Sequence, residues 1–190
     1  AKDNNLFGDI IPQDPTKEIS FKRPDVSQSP GSIYNERRFT EEELGKMWTW
    51  LTNPINYERY PFQAEIILLM MITGRRAEET MKIRRSMINL EKELITLPAS
   101  ITKARKIEYV DITPPVAKVL EQINKHINGK HKAYKFLDWL FPTTRINQQK
   151  LHEDYYVRSD QCRTKEIRGV WKAMMKDLGM TGAPKMLRKS

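Results

Sequence analysis

The sequence predicts a mainly α-helical fold carrying one small three-stranded antiparallel sheet, an α+β arrangement. Three observations predict it. Several segments repeat apolar residues at helical spacing. Three short β-type runs lie together between residues 87 and 112, separated by polar turns. The first 37 residues show neither pattern and are broken by Pro12, Pro15, Pro24 and Pro30.

Residues 1–37 read as a linker or extended arm, with Ser27, Ser29, Gly31 and Ser32 set among the prolines. A folded domain is expected over residues 38–190. It starts at Phe39-Thr40, where Thr40 followed by Glu43 carries the capping-box signature. The helix after it puts Leu44, Met47, Trp48 and Leu51 on one face. A second helix, from about Pro61 to Thr73, is apolar nearly all round, as a central buried helix is. Gly74 ends it, and a short helix follows from about Ala77 to Ile83. The strands are expected at Met87–Leu90, Leu94–Leu97 and Ile107–Ile112. Glu91-Lys92-Glu93 makes the first turn, and Ser100 to Lys106 a basic second one. Pro114 and Pro115 open an amphipathic helix with Val116, Val119, Leu120, Ile123 and Ile127 on its apolar stripe. A loop and an apolar stretch, Phe136 to Phe141, come next. A long helix is expected from near Asp160 to Leu178, with Ile167, Val170, Trp171 and Met174 inward and Gly179 closing it. Trp48, Trp50, Trp139 and Trp171 fall within these patterns, so core packing is their expected use rather than base stacking.

Charge narrows the function classes. The 190 residues carry a net charge of +9, with a pI of about 9.6, which points to a polyanionic partner. Residues 1–39 hold six basic and six acidic side chains and net to zero. Residues 160–190 hold eight basic and three acidic side chains, a net of +5. The basicity therefore belongs to the folded part and rises toward Ser190. A single cysteine, Cys162, excludes an internal disulfide and fits a reducing compartment. His126, His131 and His152 lack ligand spacing, so no metal site is expected. The longest apolar run, Ile66 to Ile72, is too short to span a bilayer. A soluble, cytoplasmic protein with no membrane association is the expectation.

The most informative segment is Thr73-Gly74-Arg75-Arg76-Ala77-Glu78-Glu79. It sets an arginine at a helix start just after a glycine, where backbone N–H groups and a guanidinium can face one anion. Alone, such a segment more often marks a solvated capping arginine. Its company changes that weighting. The segment resembles the T-G-x-R-x-x-E box of tyrosine recombinases, the phage integrase family, with Arg76 as the first catalytic arginine and Glu79 as the acid. Arg85-Ser86-Met87-Ile88-Asn89-Leu90 resembles the family's R-x-x-D-I-D-L approach to the sheet. Ile101-Thr102-Lys103-Ala104-Arg105-Lys106 resembles its T-K-x-x-R hairpin. Leu140-Phe141-Pro142 resembles the apolar strand after the next helix. Leu178-Gly179-Met180-Thr181-Gly182-Ala183-Pro184, then Lys185 and Arg188, resembles the second box, usually P-H-x-L-R. The order and spacing agree over about residues 39–190.

The resemblance implies the recombinase catalytic-domain fold and site-specific strand exchange on double-stranded DNA, as in integration or excision of a phage or genomic island. No metal or other cofactor is implied. A tyrosine attacks a backbone phosphate, the 5′-oxygen leaves, and a 3′-phosphotyrosyl bond holds the strand until another 5′-hydroxyl reverses the step. Two arginines suit the non-bridging oxygens, because the guanidinium is planar, permanently charged and bidentate toward phosphate. Those would be Arg76 and Arg188. The proton for the leaving oxygen would come from Lys103, with Lys106 as the other candidate in the turn. Lys185 stands where the family usually has histidine, a position at which the related type IB topoisomerases also resemble this chain in having lysine; it can still hold a phosphate oxygen. Glu79 would buttress Arg76. Arg75, Arg105, Lys106 and Lys189 would grip DNA.

The family's His or Trp and its nucleophilic tyrosine fall some tens of residues beyond the second box, past Ser190. Tyr155 and Tyr156 precede that box, and neither is nominated as nucleophile. On this reading the catalytic domain is incomplete at its C-terminus: inactive and monomeric as it stands, a homotetramer on DNA when full length, in a bacterial host. Two other readings stay open at this point: a non-catalytic DNA-binding protein on the same scaffold, motivated by Lys185, and a basic helical module for protein or RNA contacts.

Overall fold

The computed structural model describes residues 38–129, 134–135, 137–144 and 162–188. The arm at 1–37, Phe136, His131, His152, Tyr155, Tyr156 and Lys189 lie outside the described residues.

Helix α1 (Glu41–Thr52) begins at the expected capping box. The Thr40 hydroxyl accepts the Glu43 N–H at 3.2 Å, and the Glu43 carboxylate accepts the Thr40 N–H at 3.0 Å. Met47, Trp50 and Leu51 are buried, while Leu44 and Trp48 pack at the edge of the core. Helix α2 (Pro54–Arg59) is a separate turn that the periodicity did not predict. Its start signal is local chemistry: the Asn53 side chain accepts the Ile55 N–H at 2.9 Å, and Pro54 occupies the first helical position. Helix α3 (Gln63–Thr73) is the central helix, burying every residue from Ala64 to Met70. It starts two residues later than expected because Phe62, itself fully buried, takes a left-handed conformation at φ 67°. Helix α4 (Ala77–Met81) follows after a three-residue connection.

The sheet comprises β1 (Ile88–Asn89), β2 (Leu94–Leu97) and β3 (Glu108–Asp111), antiparallel in that order. Ile88 pairs with Ile95, and Ile95 with Val110, so one face gathers apolar side chains against the helices. The first strand is shorter than expected, since Arg85–Met87 forms a 3-10 turn instead. Helix α5 (Pro114–Asn128) buries Val116, Val119, Leu120, Ile123 and Ile127, the same five residues that the periodicity selects.

One expectation is corrected. The helix predicted from near Asp160 starts only at Arg168, as α6 (Arg168–Asp177). Its upstream backbone is already committed elsewhere. The Thr143 N–H donates to the Cys162 carbonyl and the Thr164 N–H to the Phe141 carbonyl, both at 2.8 Å. Groups bonded across to another segment cannot close helical turns. The apolar stretch is bridged on both sides, Trp139 to Arg84 and Pro142 to Arg163, so it ties α4 to the approach of α6.

Gly179, at φ 62°, turns the chain after α6, and the Met180 N–H caps the Met175 carbonyl at 2.8 Å. Trp50, Trp139 and Trp171 are buried and Trp48 is partly so. The Trp171 indole donates to the Gly182 carbonyl at 2.9 Å and the Trp50 indole to Asp177 at 3.1 Å. Both serve packing, with the polar tip satisfied. No described helix is long and apolar enough to cross a membrane.

Candidate active site

The site grows from the end of α3. Gly74 takes φ 64°, a conformation that costs a glycine nothing, and its N–H still closes the helix on Met70 at 3.0 Å. The chain reverses there, and Arg76 becomes the extended residue that caps α4. Three residues on, Glu79 is buried to 3% exposure. Its carboxylate accepts the Arg76 N–H at 3.3 Å and the Arg76 guanidinium at 3.1 Å. It also accepts the Lys103 backbone N–H at 3.0 Å, from a turn 24 positions along the chain. One carboxylate therefore fixes both the arginine and the start of the lysine turn. Burial is the largest single influence on Glu79 and opposes its charge. The N–H groups of Lys103 and Arg76 and the Arg76 guanidinium together outweigh it, holding the pKa below the ordinary 4.5.

The lysine turn is fastened from inside. Thr102 is buried, and its hydroxyl donates to the Lys106 carbonyl at 2.7 Å and accepts the Lys106 N–H at 3.2 Å. Arg105 adopts φ 52° at the tip. With Thr102 turned inward, Lys103, Arg105 and Lys106 all stand exposed.

The second box arrives from the other end of the chain. Pro184–Arg188 forms a 3-10 turn with Met186 and Leu187 buried. Three residues per turn eclipse positions i and i+3, so Lys185 and Arg188 share the exposed side. Arg188 Nε donates to the Gly74 carbonyl at 3.2 Å, which seats the second arginine on the loop that carries the first. The turn is held in place by Gly182. A Cβ there would sit 2.6 Å from the Phe39 ring, so the backbone approaches that ring as only glycine allows.

Arg76, Glu79, Lys103 and Arg188 thus converge, though 112 positions separate the first from the last. Arg75 is placed differently. It pairs with Glu108 and donates to the Tyr109 carbonyl at 3.1 Å, clasping the exit strand of the lysine turn. That clasp, the Thr102 fastening and the role of the Gly74 carbonyl do not show in the residue spacing. Only the Thr102 bond had a local signal, a threonine four residues before the bonded group. Among the described residues, no cluster of three or more His, Cys, Asp or Glu could hold a metal ion.

Residues 37–190 match the phage integrase family. The chain belongs to that family. Its catalytic-domain fold, mainly helical with a small antiparallel sheet, is the one described above. Integrases of this family act on DNA by site-specific recombination. No curated protein matches the chain.

Proposed function

We propose that this chain supplies the phosphate-binding half of a tyrosine recombinase active site acting on double-stranded DNA. The observation that carries the reading is the linked set of hydrogen bonds Lys103–Glu79–Arg76 and Arg188–Gly74. In this reading Arg76 and Arg188 hold the two non-bridging oxygens of the scissile phosphate. As the tyrosine oxygen, its phenolic proton released to solvent, bonds to phosphorus, the bond from phosphorus to the 5′-oxygen breaks, and negative charge moves onto oxygens facing the two guanidinium groups. Lys103 gives its proton to the leaving 5′-oxygen. Lys185, one 3-10 turn from Arg188, adds a third cation toward the same phosphate. Glu79 touches no substrate; it sets the distance between Arg76 and the lysine turn. No residue among these 190 is assigned as the nucleophile.

The test is covalent trapping. The natural gene product, given a pool of nicked suicide duplexes, should accumulate a protein–DNA adduct that survives denaturation. Arg76→Ala and Arg188→Ala should each slow the adduct by about 100-fold or more. Tight DNA binding without any adduct would replace this reading with that of a DNA-binding protein on the recombinase scaffold.

A further inference from the structure

Ile107 and Tyr109 are each 59% exposed, among the most exposed large apolar side chains described. Scattered apolar residues at a surface need no explanation, but these two are not scattered. β3 alternates, with Val110 turned to the core and Glu108 turned the same way toward Arg75. Ile107 and Tyr109 therefore share the outer side, with Thr96 of β2 opposite Tyr109. They stand where the lysine turn rejoins the sheet, directly after the exposed Arg105 and Lys106 in sequence and four positions or more after the exposed Lys103.

Charge around them is one-sided. From Pro98 to Ile107 the chain contains no acidic residue. The nearest carboxylate in sequence, Glu108, is engaged by Arg75 on the other side of the strand. Asp111 is the first acid on the Tyr109 side and marks the limit of the surface. An apolar pair that follows three exposed cations along the chain matches a polyanion that also has apolar faces. Duplex DNA is such a partner, since deoxyribose lies between consecutive phosphates.

We propose that Ile107 and Tyr109 form an apolar ridge that packs against the sugar faces of duplex DNA, beside phosphates gripped by Lys103, Arg105 and Lys106. The inference rests on the DNA-binding reading above and adds a separable component to it. Phosphate contacts release counterions and weaken with salt, whereas apolar packing does not.

The test is DNA affinity by fluorescence anisotropy, using this chain and a mixed-sequence duplex between about 50 and 200 mM salt. The double variant Ile107→Ser/Tyr109→Ser should weaken binding about tenfold at every salt concentration, leaving the slope of log affinity against log salt unchanged. Arg105→Ala/Lys106→Ala should instead reduce that slope by about 2. Tyr109→Phe should bind as the parent does, because the ring remains. Both ridge positions are exposed, so unchanged thermal melting will show that the variants fold. Parental affinity in the serine variant overturns the ridge while leaving the DNA reading intact. So does a shift from dimer to monomer in sedimentation without loss of affinity, which would make the ridge a contact between copies. A parent chain with no salt-dependent binding overturns both.

Discussion

Two glutamates are buried among the described residues, Glu79 at 3% exposure and Glu65 at 0%, and they are held in different ways. Glu79 faces backbone N–H groups and a guanidinium, groups that keep it charged and that belong to the edge of the site. Glu65 lies within α3 and faces rings. His126 Nε2 of α5 is 2.9 Å from its Oε1, and the Tyr57 hydroxyl is beside it. Burial first, then the Glu65 charge, pushes the Tyr57 pKa well up, so that hydroxyl keeps its proton. Tyr57 and His126 stack at 5.1 Å, and Phe62 packs edge-on to His126 at 6.0 Å. The first carboxylate joins groups of two segments that reach the surface. The second closes a contact between helices. The same side chain at the same depth thus fastens a surface edge or a buried helix contact according to whether its partners reach the surface.

The contrast predicts a ranked set of effects. The largest belongs to the architectural pair. His126→Leu leaves the Glu65 carboxylate without its ring partner and should cost about 3 kcal/mol in urea denaturation. Replacing Tyr57, Glu65 and His126 together by Phe, Leu and Leu should recover most of that loss, since an apolar cluster needs no compensation. If the triple variant is no more stable than His126→Leu, the network is not the unit described here.

A middle-sized effect concerns how the second box is seated. Gly182→Ala forces a methyl against the Phe39 ring and should cost about 2 kcal/mol by the same measurement. DNA affinity should fall with it, because the turn bearing Lys185 and Arg188 must shift. A variant with parental stability would show that Phe39 yields freely.

The smallest effect sharpens the account of Glu79. Its folded-state pKa lies below 4.5, so its contribution is fully present above that value and is lost as pH falls through the folded pKa. The stability advantage of the parent over Glu79→Gln should therefore be constant near neutrality and shrink in acid below pH 4.5. An advantage that grows with acid would mean that burial, not the N–H groups, dominates.

Much of the fold is legible in the sequence. The capping box at Thr40, the five-residue stripe of α5 and the two glycine stops at Gly74 and Gly179 are local signals, and local geometry obeyed them. The long helix near Asp160 was misjudged because apolar spacing cannot show that Cys162 and Thr164 already bond to the Phe141–Thr143 segment. The candidate residues stand in the sequence as an ordered set of boxes, and the fold links Arg76, Glu79, Lys103 and Arg188. Their joints are not legible there: the Arg75 guanidinium pairs with Glu108, and no spacing rule connects residues 33 positions apart.

By itself, then, the sequence determined where helices start and stop, which faces are apolar, and which cations stand in which order. Those properties depend on neighbours within a turn or two. Only the tertiary structure decided that Glu79 would join Arg76 to Lys103, that Gly74 would receive Arg188, and that Glu65 would end beneath His126. Each of these depends on chain segments folded together from a distance, and burial fixes them because a polar group out of water must find a partner wherever packing has placed one.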